Sequence, residues 1–187
     1  MPENQTTPPR AKDRILDVAC RLFYQDGIRA TGIDRIIAES GVAKMSFYRN
    51  FKSKADLVAA YLNARHDWWM DWFTQRVERA LPLYGNSFEA VADALQEWFS
   101  TPDFRGCAFI NGVAENSPAG GEETRIACRH KEKLRDYLKK LAQRFERPSP
   151  DQTAEAALII IEGTIVRAQM QAAADALPVC RKMLAGL

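Results

Sequence analysis

A chain of 187 residues, 47% of them hydrophobic, can fill one sizeable core or join a small module to a larger one, and is too apolar to be disordered. No apolar run approaches the roughly 18 residues needed to cross a bilayer, and the opening MPENQTTPPR lacks the basic-then-apolar pattern of an export signal. Four scattered cysteines and two histidines leave no zinc spacing or disulfide framework, so no metal, cofactor or membrane is expected, and the thiols suit a reducing cytoplasm.

Residues 1–9 read as a disordered arm. Beyond them apolar residues recur at spacings of three and four, and no stretch alternates, so the chain is expected to be all-α with about nine helices. The first spans about 10–26, with Ile15, Ala19, Leu22 and Phe23 inward and Gly27 as its stop. The second, about 33–39, carries Ile33, Ile36 and Ile37; Gly41 falls in a turn, and the third covers about 44–50. Ser53 with Asp56 three residues on predicts a capping box, opening a fourth helix that runs to about 80. Asn86 and Glu89 suggest the cap of a fifth helix over about 87–100. Pro102 and Asp103 separate it from a sixth over about 104–116, and SPAGG forms a loop. The seventh runs from about 121 to 146, with Glu122 and Glu123 at its start and Lys139, Lys140 and Arg144 near its end, as the helix dipole favours. Ser149, Pro150 and Gln152 predict the capped start of an eighth helix reaching about 173, and a ninth covers about 176–185.

The net charge of +2 hides a division. Residues 1–56 carry 10 Lys/Arg against 7 Asp/Glu, and residues 57–187 carry 16 against 17. Lys44, Arg49, Lys52 and Lys54 lie within 44–54 with no acid among them, a local basic strip of the kind that contacts phosphates. The surrounding segment, TGIDRIIAESGVAKMSFYRNFKSKADL over 31–57, is two short helices about a glycine-containing turn. Ile33, Ile36, Val42 and Phe47 can brace them at a fixed angle. The second helix then presents Lys44, Met45, Ser46, Tyr48, Arg49 and Asn50, a mixture of donors, hydroxyl, aromatic and amide suited to a major-groove reader.

This spacing resembles that of the TetR/AcrR family of bacterial regulators, through Thr31, Ile33, Ile36, Gly41, Val42, Tyr48, Phe51, Ser53, Lys54 and Leu57. The helix before it, RILDVACRLFYQDGIRAT, is similar to that family's first helix, and the likeness covers about residues 12–60. Ile37, Ala43, Met45, Phe47 and Asn50 depart from the family pattern, which bears on base preference and on some phosphate contacts. The resemblance implies phosphate contacts from Thr31, Tyr48 and Lys54, and base-edge or backbone contacts from Lys44, Met45, Ser46 and Arg49. It also implies a DNA-binding domain over 10–53 and an effector-binding and dimerisation domain over 54–187.

In the larger part, Leu57, Tyr61, Ala64, Trp68 and Trp72 form one helical stripe, with Trp69 and Phe73 on an offset one. A helix apolar over so wide an arc buries two sides, one against a core and one facing a cavity, or both in packing alone. FRGCAFINGVAEN over 104–116 is similar to a sixth-helix pattern in one branch of the same family, through Phe104, Gly106, Cys107, Asn111 and Glu115. Asn111 and Glu115 share a face, either as surface groups or as polar anchors of an apolar pocket lined by Trp68, Trp72 and Phe109. An inward Glu115 would favour a cationic ligand. The eighth helix is apolar nearly all round, with Ala154, Leu158, Ile161, Ile165, Ala168 and Ala172 on one stripe and Ile159, Val166 and Met170 on another. By resemblance, the eighth and ninth helices of two copies form a dimer interface, for which Leu158, Ile161, Ile165 and Ala168 are the candidates.

An enzyme finds no support: there is no phosphate-cradling loop, no nucleophile elbow and no metal-ligand cluster. The reading is a cytoplasmic, nucleoid-associated repressor. It binds an inverted-repeat DNA operator as a homodimer and is released by a small apolar or aromatic effector. Two alternatives stay open: a DNA binder with no small-molecule effector, and a sensor of oxidants or electrophiles using Cys107 beside Arg105.

Overall fold

The computed structural model describes residues 10–116 and 121–187; the arm over 1–9 and most of the SPAGG loop lie outside the described residues. Among the described residues there are nine α-helices and no strand. They are α1 (Ala11–Asp26), α2 (Ile33–Ser40), α3 (Lys44–Asn50), α4 (Lys54–Tyr84), α5 (Glu89–Phe99), α6 (Ala108–Asn116), α7 (Glu122–Arg144), α8 (Pro150–Gln169) and α9 (Ala173–Ala185).

Helix α1 packs on α2, α3 and the start of α4, while α4 continues along α5 and α7. Helix α8 lies between α7 and α9, and α6 rests on α7. The buried side chains form one continuous cluster, from Ile15 and Leu22 through Leu57 and Phe73 to Leu138 and Ile165. No helix is long and apolar enough to cross a membrane.

The first three helices end where local chemistry says they should. Gly27, at φ 93°, and Gly41, at φ 62°, take left-handed backbone that stops α1 and α2. Ser53 caps α4 by accepting from the Asp56 backbone N–H at 3.1 Å.

Later boundaries differ from expectation, each for a stated reason. Helix α4 passes Pro82 and stops at Tyr84, because in the last turn the missing N–H removes one bond only. Ser87, not Asn86, serves the start of α5: its hydroxyl accepts from the Glu89 N–H at 3.3 Å. Residues 104–107 are not helical. The Tyr24 hydroxyl of α1 accepts from the Arg105 N–H at 3.1 Å and donates to the Gly106 carbonyl at 3.0 Å, holding that stretch as a loop. Ser149 makes no side-chain cap bond, although Pro150 stands in the first turn of α8 as expected. Helix α8 ends at Gln169, because Gln171 turns to φ 60°, and α9 therefore starts at Ala173, earlier than the sequence suggested.

Candidate DNA-reading surface and internal cavities

Helix α3 is held from below. Ile36 and Phe47 are fully buried, and Val42 and Phe51 nearly so, so the turn between α2 and α3 is fixed by packing. Outside, Arg35 bridges Asp26 at 2.7 Å and Glu39 at 2.8 Å, and Arg21 also pairs with Glu39, tying α1 to α2. Those hydrogen bonds hold the Glu39 carboxyl below its ordinary pKa.

The outer face of α3 shows Lys44, Met45, Tyr48 and Arg49 exposed, with Ser46 half-buried beside them. Met45 is 75% exposed, a large apolar side chain with no intramolecular partner to justify its position. Lys44 lies 3.6 Å from Asp34, a loose pair on the surface. Lys54 is half-buried in the first turn of α4; burial pushes its pKa down, and the nearby Glu115 charge partly offsets this.

Two expected DNA contacts are otherwise engaged. Thr31 is wholly buried, its hydroxyl donating to the Gly27 carbonyl at 2.8 Å. It fixes the turn between α1 and α2 and presents nothing to a phosphate in this structure. The Asn50 amide donates to the Ser46 carbonyl at 2.8 Å, folded back on its own helix.

The five residues expected around an effector do not come together. Leu57 and Tyr61 are covered by α1, with Phe23 and Tyr61 rings 5.5 Å apart. Trp68 and Trp72 continue that face of α4. Trp68 is 51% exposed and stacks on Trp72, 6.3 Å away. The face that is buried at this height carries Trp69 and Phe73.

Asn111 and Glu115 line an open cleft of about 240 Å³ between α1 and α6. Asn111 donates to the Arg105 carbonyl at 2.9 Å and accepts from Gln169 at 3.2 Å. Glu115 accepts from the Arg29 backbone N–H at 3.0 Å, so it grips the turn between α1 and α2 and does not face inward.

Phe109 alone of the five lines the narrow cavity between α4, α5, α6, α7 and α8, together with Trp69, Trp98, Cys107, His130 and Lys131. About 10 Å³ is free there, no more than one water requires. Phe109 stacks on His130 with ring centroids 3.7 Å apart, and Trp69 meets His130 edge-on at 5.3 Å. The two histidines share a hydrogen bond, Nδ1 to Nδ1, at 2.9 Å. Burial pushes His130 down to about 2, with Lys131 and His66 adding to the effect, so its ring is neutral. Lys131 donates to Cys107 Sγ at 3.6 Å and pairs with Glu162 at 3.1 Å. The cation beside the thiol is thus Lys131; the Arg105 guanidinium bonds the Phe104 carbonyl at 2.8 Å instead. Sequence reasoning missed Trp98, His130 and Lys131, whose convergence depends on how α5 and α7 cross α4.

The proposed dimer residues also need correction. Leu158, Ile161, Ile165 and Ala168 are all buried within the protomer, with Leu158 and Ala168 at its margin. The stripe of α8 left exposed is Ile159, Val166 and Met170, joined by Val179 and Met183 of α9.

A model of bacterial regulatory proteins of the tetR family matches residues 15–61. The chain is 31% identical over 178 residues to the transcriptional repressor ComR of Escherichia coli, spanning 89% of this chain and 83% of that one. It is 30% identical over 97 residues to the repressor KstR2 of Mycolicibacterium smegmatis, a match covering about half of either protein: 48% of this chain and 47% of that one. Among solved structures, SCO4454, a TetR-family transcriptional regulator from Streptomyces coelicolor, superposes with a TM-score of 0.80 at 27% identity, over 94% of this chain and 93% of that one.

Proposed function

The chain belongs to the TetR family of bacterial regulatory proteins, which are DNA-binding regulators and not enzymes, and on that premise we propose that it is an effector-responsive transcriptional repressor. The observation that carries this reading is the outer face of α3. Lys44, Met45, Tyr48 and Arg49 are exposed on a helix whose inner face is locked by Ile36, Val42 and Phe47.

One such helix reads only a few base pairs, so two copies must act together on an inverted repeat. The surface suited to joining them is the exposed apolar stripe of α8 and α9. A side chain placed at Gly163, in its midst, would meet nothing within 4 Å, which leaves room for close approach of a second backbone. On this reading residues 10–53 are the DNA-binding unit and residues 54–187 the effector-binding and dimerisation unit.

The experiment is selection of bound duplexes from a random pool, followed by a salt titration on the winner. Selection should return an inverted repeat. Lys54→Ala should weaken binding to all sequences and lower the salt slope by about one contact. Arg49→Ala should change base preference. Unchanged duplex binding after deletion of residues 1–56 would overturn the proposal.

A further inference from the structure

The wall of this narrow cavity has an uneven charge. Two of its side chains, Arg65 and Lys131, are cations, and none is a carboxylate. The Arg65 guanidinium lies 3.9 Å from the Tyr24 ring centroid and 4.5 Å from that of Trp68, and it makes no ion pair among the described residues. Lys131 has one acidic partner, Glu162, which stands in the groove outside the cavity. Trp69 Nε1 is buried with no hydrogen-bond acceptor among the described residues. A buried N–H normally has a partner, so this donor is one that the protein alone leaves unsatisfied. The Arg65 guanidinium is thus held by rings outside the cavity, and the site has one cation, Lys131, whose acid lies outside it, and one unsatisfied donor, Trp69 Nε1.

The way in is equally specific. An apolar groove of about 480 Å³ runs between α6 and α7, and Phe109 and Lys131 line both it and the cavity. With about 10 Å³ free, the cavity admits a ring only if a side chain leaves. Phe109 is placed to do so: its ring lies parallel to His130 within 13°, in the position a flat ligand would take.

We propose that the effector is a small planar aromatic carboxylate. It enters between α6 and α7, displaces the Phe109 ring from His130, and accepts hydrogen bonds from Lys131 and the Trp69 indole. The proposal rests on the effector-responsive reading above and names the chemistry of that site. A cationic ligand is favoured only for an inward Glu115, and Glu115 instead bonds the turn between α1 and α2. Helix α6 carries both Phe109 and Glu115, so displacing one end of this short helix acts on the contact with Arg29 at the other.

The test uses three probes of one size on the full chain: benzoate, benzamide and benzylamine, followed by tryptophan fluorescence and thermal shift. Benzoate should bind most tightly and benzylamine least. Lys131→Met should weaken benzoate by about tenfold or more and leave benzamide unchanged, as expected for loss of a charge-assisted bond. The wild-type ranking needs no variant, so a poorly folding Lys131→Met leaves the proposal exposed to refutation. Benzylamine binding as tightly as benzoate, equal losses for benzoate and benzamide in the variant, or no binding of any probe at millimolar concentration would each overturn it. Release of a selected duplex by benzylamine would keep the repressor reading and discard the carboxylate. Benzoate binding by a protein that holds no duplex would do the reverse.

Discussion

The three-helix unit and the helical body treat their polar groups in opposite ways. Around α1–α3 the polar groups are paired: inside, Thr31 with Gly27, and on the surface, Arg35 with Asp26 and Glu39, and Arg21 with Glu39. What remains free points to solvent, on α3. Inside the body a donor is left over: Trp69 Nε1 is unsatisfied, beside a cavity wall whose lysine, Lys131, has its acid, Glu162, outside. A surface that must meet a large rigid partner is best held stiff from behind. A site that must take in a small molecule keeps its unmet hydrogen-bonding capacity within.

The largest break in this comparison should come from softening the stiff half. Phe47→Ala removes a fully buried ring beneath the reading face, costing about 3–5 kcal/mol in denaturant unfolding. Duplex binding should be lost with it, even where the body keeps its fold by tryptophan fluorescence. Next, Ile159→Glu places a charge in the exposed stripe of α8, where the protomer itself loses little packing. Light scattering should then report a mass near the 21.1 kDa of one chain in place of a dimer, with the thermal midpoint little changed.

How far the sequence carried these two halves differs for the same reason. The helices α1–α3 are bounded by Gly27, Gly41 and Ser53, whose effect is local, so their limits were legible to within a residue or so. The buried stripe of α4 was not. Leu57, Tyr61, Trp68 and Trp72 follow one helical face, but α1 covers only its first part, and the sequence does not say where α1 stops lying against it. Helix α8 is apolar on two sides, and nothing local tells which side meets its own domain; the sequence points to the inner stripe where the fold exposes the other. The cavity needed tertiary crossing to exist at all, since Trp98, His130 and Lys131 come from α5 and α7.

A sharper test of the body is its response to acid. His130 is neutral in the fold, pushed down to about 2, whereas in the unfolded chain it titrates near 6.5. Below that pH the unfolded chain binds the extra proton, so this contribution to stability is complete above about 6.5 and is lost as pH falls. The slope is about 1.4 kcal/mol per pH unit. Urea unfolding between pH 7.5 and 5.5 should show it, and His130→Phe should flatten the profile. A His130→Phe profile as steep as the wild type's would assign the effect elsewhere. The smallest expected effect is at the junction of the halves. Ser53→Ala removes the cap of α4 and should cost about 1 kcal/mol, read as a small drop in urea midpoint with the slope unchanged.

Gly27 has a consequence for the genetics of such a protein. Its backbone stands at φ 93°, and a side chain there would begin 3.0 Å from the Glu115 carboxylate. A side chain at the joint between α1 and α6 is therefore strained by the backbone and must push the Glu115 carboxylate aside by a few tenths of an ångström. In a reporter strain, mutations that uncouple induction while sparing both operator binding and ligand binding should gather at codons 27 and 115. If the proposed effector response holds, Gly27→Ala should yield an allele that still occupies its operator but no longer answers the effector in the ordinary way, and Glu115→Gln, which keeps the acceptor and drops the charge, the milder allele of the same series.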